Sequence, residues 1–500
     1  MNEWTIPVAE AAAEIERALH ELNRKWSAHV LALWQGDTPE TASYRIYEEY
    51  EALLNLDNLA RLNGVRDGEV RLRLQHALMD HYLQQILLPH ELEMRTWMQG
   101  AAAEVDGEKI GFQEVIPWCQ TASTYEKRQA LQRETTALCK FLKPFVLNHW
   151  NVLLAAIRED LGFDGYLAYC THKHGIDYGS WYPVMRDVLD RTDALYFDGM
   201  AEWCEHRFHR PLSELTRFDS INLFSLAEFD GFCPERPLLE TLDLLGSLGL
   251  RLDALPGLHL DLRQEKRNAQ ALSVFIDVPH AVHLLMRPQG GWIDLETLWH
   301  ELGHGLSAVL TDAGLPAVIR NMSTNYSLSE AYAFLLQNAV MSRPVLTGAL
   351  GVADADTELL LRHKMLRDLA AFRRYAAKFI AEFEMFSGGD LADGEPYARI
   401  MRRYTGFYHQ PESHLFDLVP EFYSLNYLLG WMGEAALERE LSSRWGEDWM
   451  FRRAAGDQLK AWWHQGSRHD LFRFLDRNRL GRVRVEPLLK RWHEALHMEV

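Results

Sequence analysis

Residues 294–307 read Asp294-Leu-Glu-Thr-Leu-Trp-His300-Glu301-Leu302-Gly303-His304-Gly-Leu-Ser307. Around them Leu295, Leu298, Trp299, Leu302, Leu306, Val309 and Leu310 recur at helical spacing, which predicts one amphipathic helix with His300 and His304 near its middle. Asp294 is the expected N-cap, Glu296 adds charge to the first turn, and Gly314 and Pro316 stop the helix. Residues four apart share a helix face, so His300 and His304 can turn their imidazoles to one point. Glu301 stands beside them, where it can act as general base to a water polarised by a metal.

A catalytic zinc takes three protein ligands and keeps a fourth position open. Between Glu301 and Glu330 the only carboxylate is Asp312, too far along the same helix to share the metal. Glu330 opens a second predicted helix, Ser327 to Met341, which follows a turn-rich loop and ends before Pro344. His300, His304 and Glu330 are therefore the expected ligands of one Zn²⁺. Other spacings fail: Ser307 and Leu310 stand where a metzincin needs Gly and His, and no acid lies near Ser323.

Outside this stretch the chain reads as helical from Ala9 to Trp26, Tyr44 to Leu62, Val70 to Leu87, over 121–160 and from Asp294 onward. Strands are expected only at roughly 258–287, with Gly107 and Gly111 as simple breaks. Three regions follow: an N-terminal helical region (1–150), a helical upper lobe (151–257) and a catalytic region (258–500). A basic run, Arg373-Arg-Tyr-Ala-Ala-Lys378, with Glu382 and Glu384 behind it, reads as a solvated helix face.

The 500 residues carry a net charge of −19 and 47% apolar side chains. That charge disfavours nucleic acid and anionic membranes as partners. No stretch reaches the length of a membrane span, and the N-terminus lacks a secretory pattern. Cys119, Cys139, Cys170, Cys204 and Cys233 are odd in number and irregular in spacing, and read as reduced thiols of a cytoplasmic protein. Nothing in the sequence specifies an oligomeric state.

The His-Glu-x-Gly-His form with a later Glu resembles the gluzincin peptidases of the thimet oligopeptidase and oligoendopeptidase F family. It also resembles the Taq-type metallocarboxypeptidases. Residues 267–277 and 281–287 read as two strands just before the motif, where the oligopeptidases have an edge strand on which substrate lies extended. Pro420-Glu-Phe-Tyr423-Ser-Leu-Asn-Tyr427-Leu-Leu-Gly430 is similar to the tyrosine-bearing segment of both families. The resemblance implies a mostly α, multi-helix body with a small mixed β-sheet beside the motif helix, split by a substrate cleft. It implies a peptide substrate, an oxyanion donor in Tyr423 or Tyr427, and a substrate or oxyanion contact from His409 or His414.

The chain also departs from both families. Ser307 replaces a further His of many oligopeptidases, and Ser329-Glu330-Ala331-Tyr332 differs from the Taq-type pattern. Endo- and carboxypeptidase readings both stand, beside that of a non-catalytic peptide-binding protein.

Overall fold

The computed structural model describes residues 8–37, 39, 41–121, 124–233, 238–262 and 271–496, with the backbone alone for 8–11. The predicted mostly helical architecture is what forms. Long helices run over Val8–Gln35, Gly68–Gly100, Tyr125–Glu159, Asp354–Phe386 and Tyr423–Trp445. The largest apolar core gathers residues from Met79 to Trp492, so distant parts of the chain share one interior. The helix expected over Tyr44–Leu62 is two, Ser43–Glu49 and Leu56–Leu62. Asn55 separates them, because its side chain accepts from the Asn58 N–H and caps the second.

Two small sheets form. One is a hairpin, Ala102–Val105 with Glu108–Gly111, where only glycine breaks were expected. Asp106 and Gly107 both take positive φ, 54° and 82°, as a two-residue type I′ turn requires. The other lies where strands were expected. Ala281–Leu285 is its centre, parallel to Leu258–Asp261 and antiparallel to Leu272–Asp277, so the sheet is mixed. Residues 267–270 of the expected strand lie outside the described residues.

Side chains alternate across this sheet. Val274 and Leu285 pack with Leu31 of the first helix. Val282 and Leu284 turn to the other face and join the main core with Leu295, Leu298 and Leu302 of the motif helix. Ser273 and Phe275 share that second face. Leu272–Asp277 is an edge strand, with its outer side unpaired by any strand of the described residues. No helix of the described residues is long and apolar enough to cross a membrane.

The motif helix spans Trp292–Val309 and the Glu330 helix Ser327–Val340. They pack so closely that a Cβ on Gly303 would lie 2.4 Å from Ala333 Cα. Overpacking costs about 1–3 kcal/mol where side chains can yield. Here the obstacle is backbone, so Gly303→Ala is expected to lower stability by about 3 kcal/mol or more, read from urea denaturation. The same substitution separates the two helices that carry His300, His304 and Glu330, the expected ligands, and so is expected to weaken any metal binding there.

Candidate active site

The motif helix is capped differently from expectation. Gly291 is the N-cap, and Asp294 lies inside the first turn, where its carboxylate accepts from the Gln289 and Gly290 N–H groups. The cap falls three residues before the predicted one, and Asp294 satisfies donors of the preceding loop rather than those of the first helical turn.

His300 and His304 project from the middle of that helix. The Nδ1–H of His300 donates to Gln337 Oε1 at 2.9 Å, and His304 Nδ1 pairs with Ser329 Oγ at 2.8 Å. Both partners belong to the Glu330 helix. They occupy Nδ1 and so present both Nε2 lone pairs to the same space. Glu330 fills the third corner: its Oε2 is 3.6 Å from His300 Nε2, and its Oε1 is 3.8 Å from His304 Nε2. The ligand atoms of the three residues all lie within 4.8 Å of one another, and among the described residues no other group of three or more His, Cys, Asp or Glu does so.

These residues fit a divalent cation. Glu330 is 2% exposed, and its Oε2 is buried without a hydrogen-bond partner. Burial pushes its carboxyl up to about 8, pushes His300 down to about 4, and holds His304 well below the usual imidazole range. A buried carboxylate facing two neutral imidazoles lacks only a positive charge. The mixture of two imidazole nitrogens and one carboxylate is a zinc donor set.

Glu301 points to the sheet. Its Oε2 accepts from Ser273 Oγ of the edge strand, and burial raises its carboxyl to about 7. Sequence reasoning missed Ser273, Gln337 and Ser329. A signal for Ser273 existed, since Leu272, Val274 and Ile276 are apolar and leave Ser273 and Phe275 on the face opposite them.

The helix Tyr423–Trp445 lies against Glu330. It approaches so closely that a Cβ on Gly430 would come within 2.6 Å of Glu330 Cβ. Tyr423 Oη donates to Glu330 Oε1 at 2.6 Å. Tyr427, one turn on, stacks edge-on to Tyr423 with ring centroids 5.0 Å apart. Its hydroxyl has no hydrogen bond among the described residues.

The segment leading into Tyr423 is strained, with Glu421 and Phe422 at φ of 59° and 55°. Lys173 at 2.7 Å and His174 at 3.2 Å hold the Glu421 carboxylate, and the Glu421 N–H donates to Tyr166 Oη.

The structure does not bring His414 to this group. The ring is fully buried, with Nδ1 2.7 Å from the Pro411 carbonyl oxygen and Nε2 2.9 Å from that of Leu391. One nitrogen is spent on the loop that carries it and the other on the segment between the helices Asp354–Phe386 and Glu395–Thr405. His409 is likewise buried, with Nδ1 on the Phe407 carbonyl at 3.1 Å.

The run Arg373–Lys378 is not a solvated face. Arg373 is 0% exposed and bonds the Leu189 and Tyr404 carbonyls, Thr192 Oγ1 and Asp193; Lys378 is buried beside Asp417. Its acidic partners come from remote segments, which the local pattern could not reveal.

No protein-family profile and no curated protein matches the sequence. Solved structures do match. PZ peptidase A, solved with an inhibitor, aligns over 100% of this chain and 99% of its own, with a TM-score of 0.68 at 12% identity. A structure assigned as an oligoendopeptidase F from Bacillus anthracis aligns over 90% of this chain and 80% of its own, with a TM-score of 0.57 at 14% identity. This chain shares their fold.

Proposed function

We propose that the chain is a zinc-dependent peptidase that hydrolyses peptide bonds of oligopeptides. The observation that carries this reading is the meeting of His300 Nε2, His304 Nε2 and Glu330 within 4.8 Å, with Glu301 next in sequence to His300 and its carboxylate held by Ser273 of the edge strand. Likeness in fold to proteins named as peptidases supports it. A zinc ion held by His300, His304 and Glu330 supplies Lewis acidity, which lowers the pKa of water toward neutrality and polarises a carbonyl.

The side chains do the rest. Glu301 accepts the proton of the attacking water and returns it to the leaving nitrogen. Ser273 Oγ holds Glu301 Oε2, so Oε1 is the atom that takes the proton. Tyr423 keeps the Glu330 carboxylate in place. Tyr427, with its hydroxyl uncommitted, donates to the oxyanion. The edge strand Leu272–Asp277 receives the substrate as an added strand.

Tyr427→Phe is expected to lower kcat about 10²–10³-fold with zinc retained, the usual loss for one oxyanion donor. Tyr423→Phe is expected to act first on zinc affinity, by about 10–100-fold, as loss of a ligand's hydrogen-bond partner does. Steady-state kinetics beside metal titration separates the two, and the opposite pattern would exchange their roles. The reading itself is tested by incubating a mixed peptide pool with zinc-loaded protein and reading the products by mass spectrometry. Cleavage at defined bonds is expected, and cut positions divide internal from C-terminal attack. An unchanged pool would leave the non-catalytic peptide-binding reading.

A further inference from the structure

The chain is acidic overall, with a net charge of −19, yet one of its cavities is lined by cations. The cavity holds about 490 Å³, and Arg439, Arg479, Arg482 and Arg484 line it with a single carboxylate, Asp476. Among the described residues none of the four guanidinium groups has an ion pair. Their one hydrogen bond runs from Arg439 Nη2 to the Leu480 carbonyl at 3.1 Å. Arginines on the neighbouring segments behave otherwise. Arg491 grips Glu434 with two bonds, and Arg444, Arg452 and Arg473 pair with Glu440, Asp448 and Asp470. Carboxylates are thus at hand on these segments, but they neutralise other arginines.

The backbone holds this arrangement in place. Met432, Ala436 and Arg439 all line the cavity, and their spacing puts them on one face of the helix Tyr423–Trp445. Arg479 and Gly481 take φ of 58° and 93°, which turns the chain sharply after the helix Leu471–Arg477. Leu480 between them is buried in the main core, with its N–H on the Leu475 carbonyl and its own carbonyl on Arg439. Val483 and Val485 pack into that core as well. Arg482 and Arg484 alternate with them and are exposed.

Four like charges facing one space repel each other, and solvent screens that repulsion only in part. A ligand that offsets it must carry several negative charges on a compact body. Guanidinium groups match phosphate oxygens two at a time, and each phosphate group brings more charge than a carboxylate. The volume is that of a small-molecule site, and the overall negative charge of the chain repels long polyanions.

We propose that this cavity binds a compact di- or triphosphate group through Arg439, Arg479, Arg482 and Arg484. It stands apart from the candidate active site. Arg439 follows Tyr423 by sixteen residues on the same helix, a distance of about 24 Å. Binding there is independent of the peptidase reading.

The test is calorimetric titration of the intact chain with pyrophosphate at low ionic strength, beside ADP, citrate and sulfate. Pyrophosphate is expected to bind at one equivalent per chain and at least about tenfold more tightly than citrate or sulfate, with an affinity that falls as salt is added. Arg482→Gln and Arg484→Gln are each expected to weaken it by at least about tenfold, the effect of a lost charged hydrogen bond. Their unfolding midpoints without anion should match the native chain, because both side chains are exposed. ADP bound as well as pyrophosphate supports a site for the diphosphate alone, and ADP bound more tightly supports a nucleotide's phosphate tail. Glu330→Ala, which removes an expected zinc ligand, should bind pyrophosphate as the native chain does. Loss of binding in that variant would place the anion at the metal site and overturn the proposal. So would the absence of saturable binding, or variants of Arg482 and Arg484 that bind like the native chain. Citrate or sulfate bound as tightly as pyrophosphate overturns the phosphate assignment.

Discussion

Glu301→Gln is expected to lower kcat by about 10³–10⁴-fold, at the upper end of what a general base contributes, with binding of one zinc per chain expected to persist. The expectation follows from where Glu301 stands. It is next to ligand His300 in sequence, yet its carboxylate faces Ser273 and the edge strand rather than the three ligands. Glutamine has the same shape and can accept the Ser273 hydrogen bond through Oε1, so the packing persists. What disappears is the capacity to hold a proton between attack and departure of the amine. Zinc content and unfolding midpoint should match those of the native chain, so the loss falls on the chemical step. Turnover within about tenfold of native would remove Glu301 from the base role.

Glu330→Ala is expected to reduce zinc affinity by more than about 100-fold, beyond the range seen when only a ligand's supporting partner is lost. Two imidazoles remain, and each keeps its Nδ1 partner, but they no longer face a carboxylate. Activity falls with metal occupancy. The control is Glu330→Gln, which can still accept from Tyr423 but brings no charge, and should lose zinc as well. Retention of a full equivalent of zinc by either variant would mean that another residue completes the site.

Much of this site was legible from local pattern. The motif helix and the Glu330 helix each announce themselves by periodicity, and two imidazoles four residues apart meet whatever surrounds them. Glu330 was found because carboxylates are scarce after His304, a matter of counting rather than of packing. Other features depend on contacts between remote segments. Arg373 looks like any surface arginine until Leu189, Thr192 and Asp193 arrive to satisfy it. His414 sits in a loop rich in polar residues, but the carbonyls of Pro411 and Leu391 decide where its ring points.

The hairpin at 102–111 had a local signal that was passed over. Asp106-Gly107 is a type I′ turn, and the strand before it, Ala102–Val105, shows the alternating burial of a sheet with one covered face. Strand alternation marks the face that Ser273 takes but not its partner, and Gln337 carries no signature of its own. Their roles appear only when strand and helices are assembled around His300, His304 and Glu301.

The most direct test is a zinc titration of metal-free protein that follows bound metal and peptide cleavage together. The account predicts that cleavage rises in proportion to bound zinc, breaks at one equivalent per chain, and is absent throughout in Glu301→Gln. Cleavage by the metal-free chain, or none at a full equivalent of zinc with the peptide pool, would contradict it.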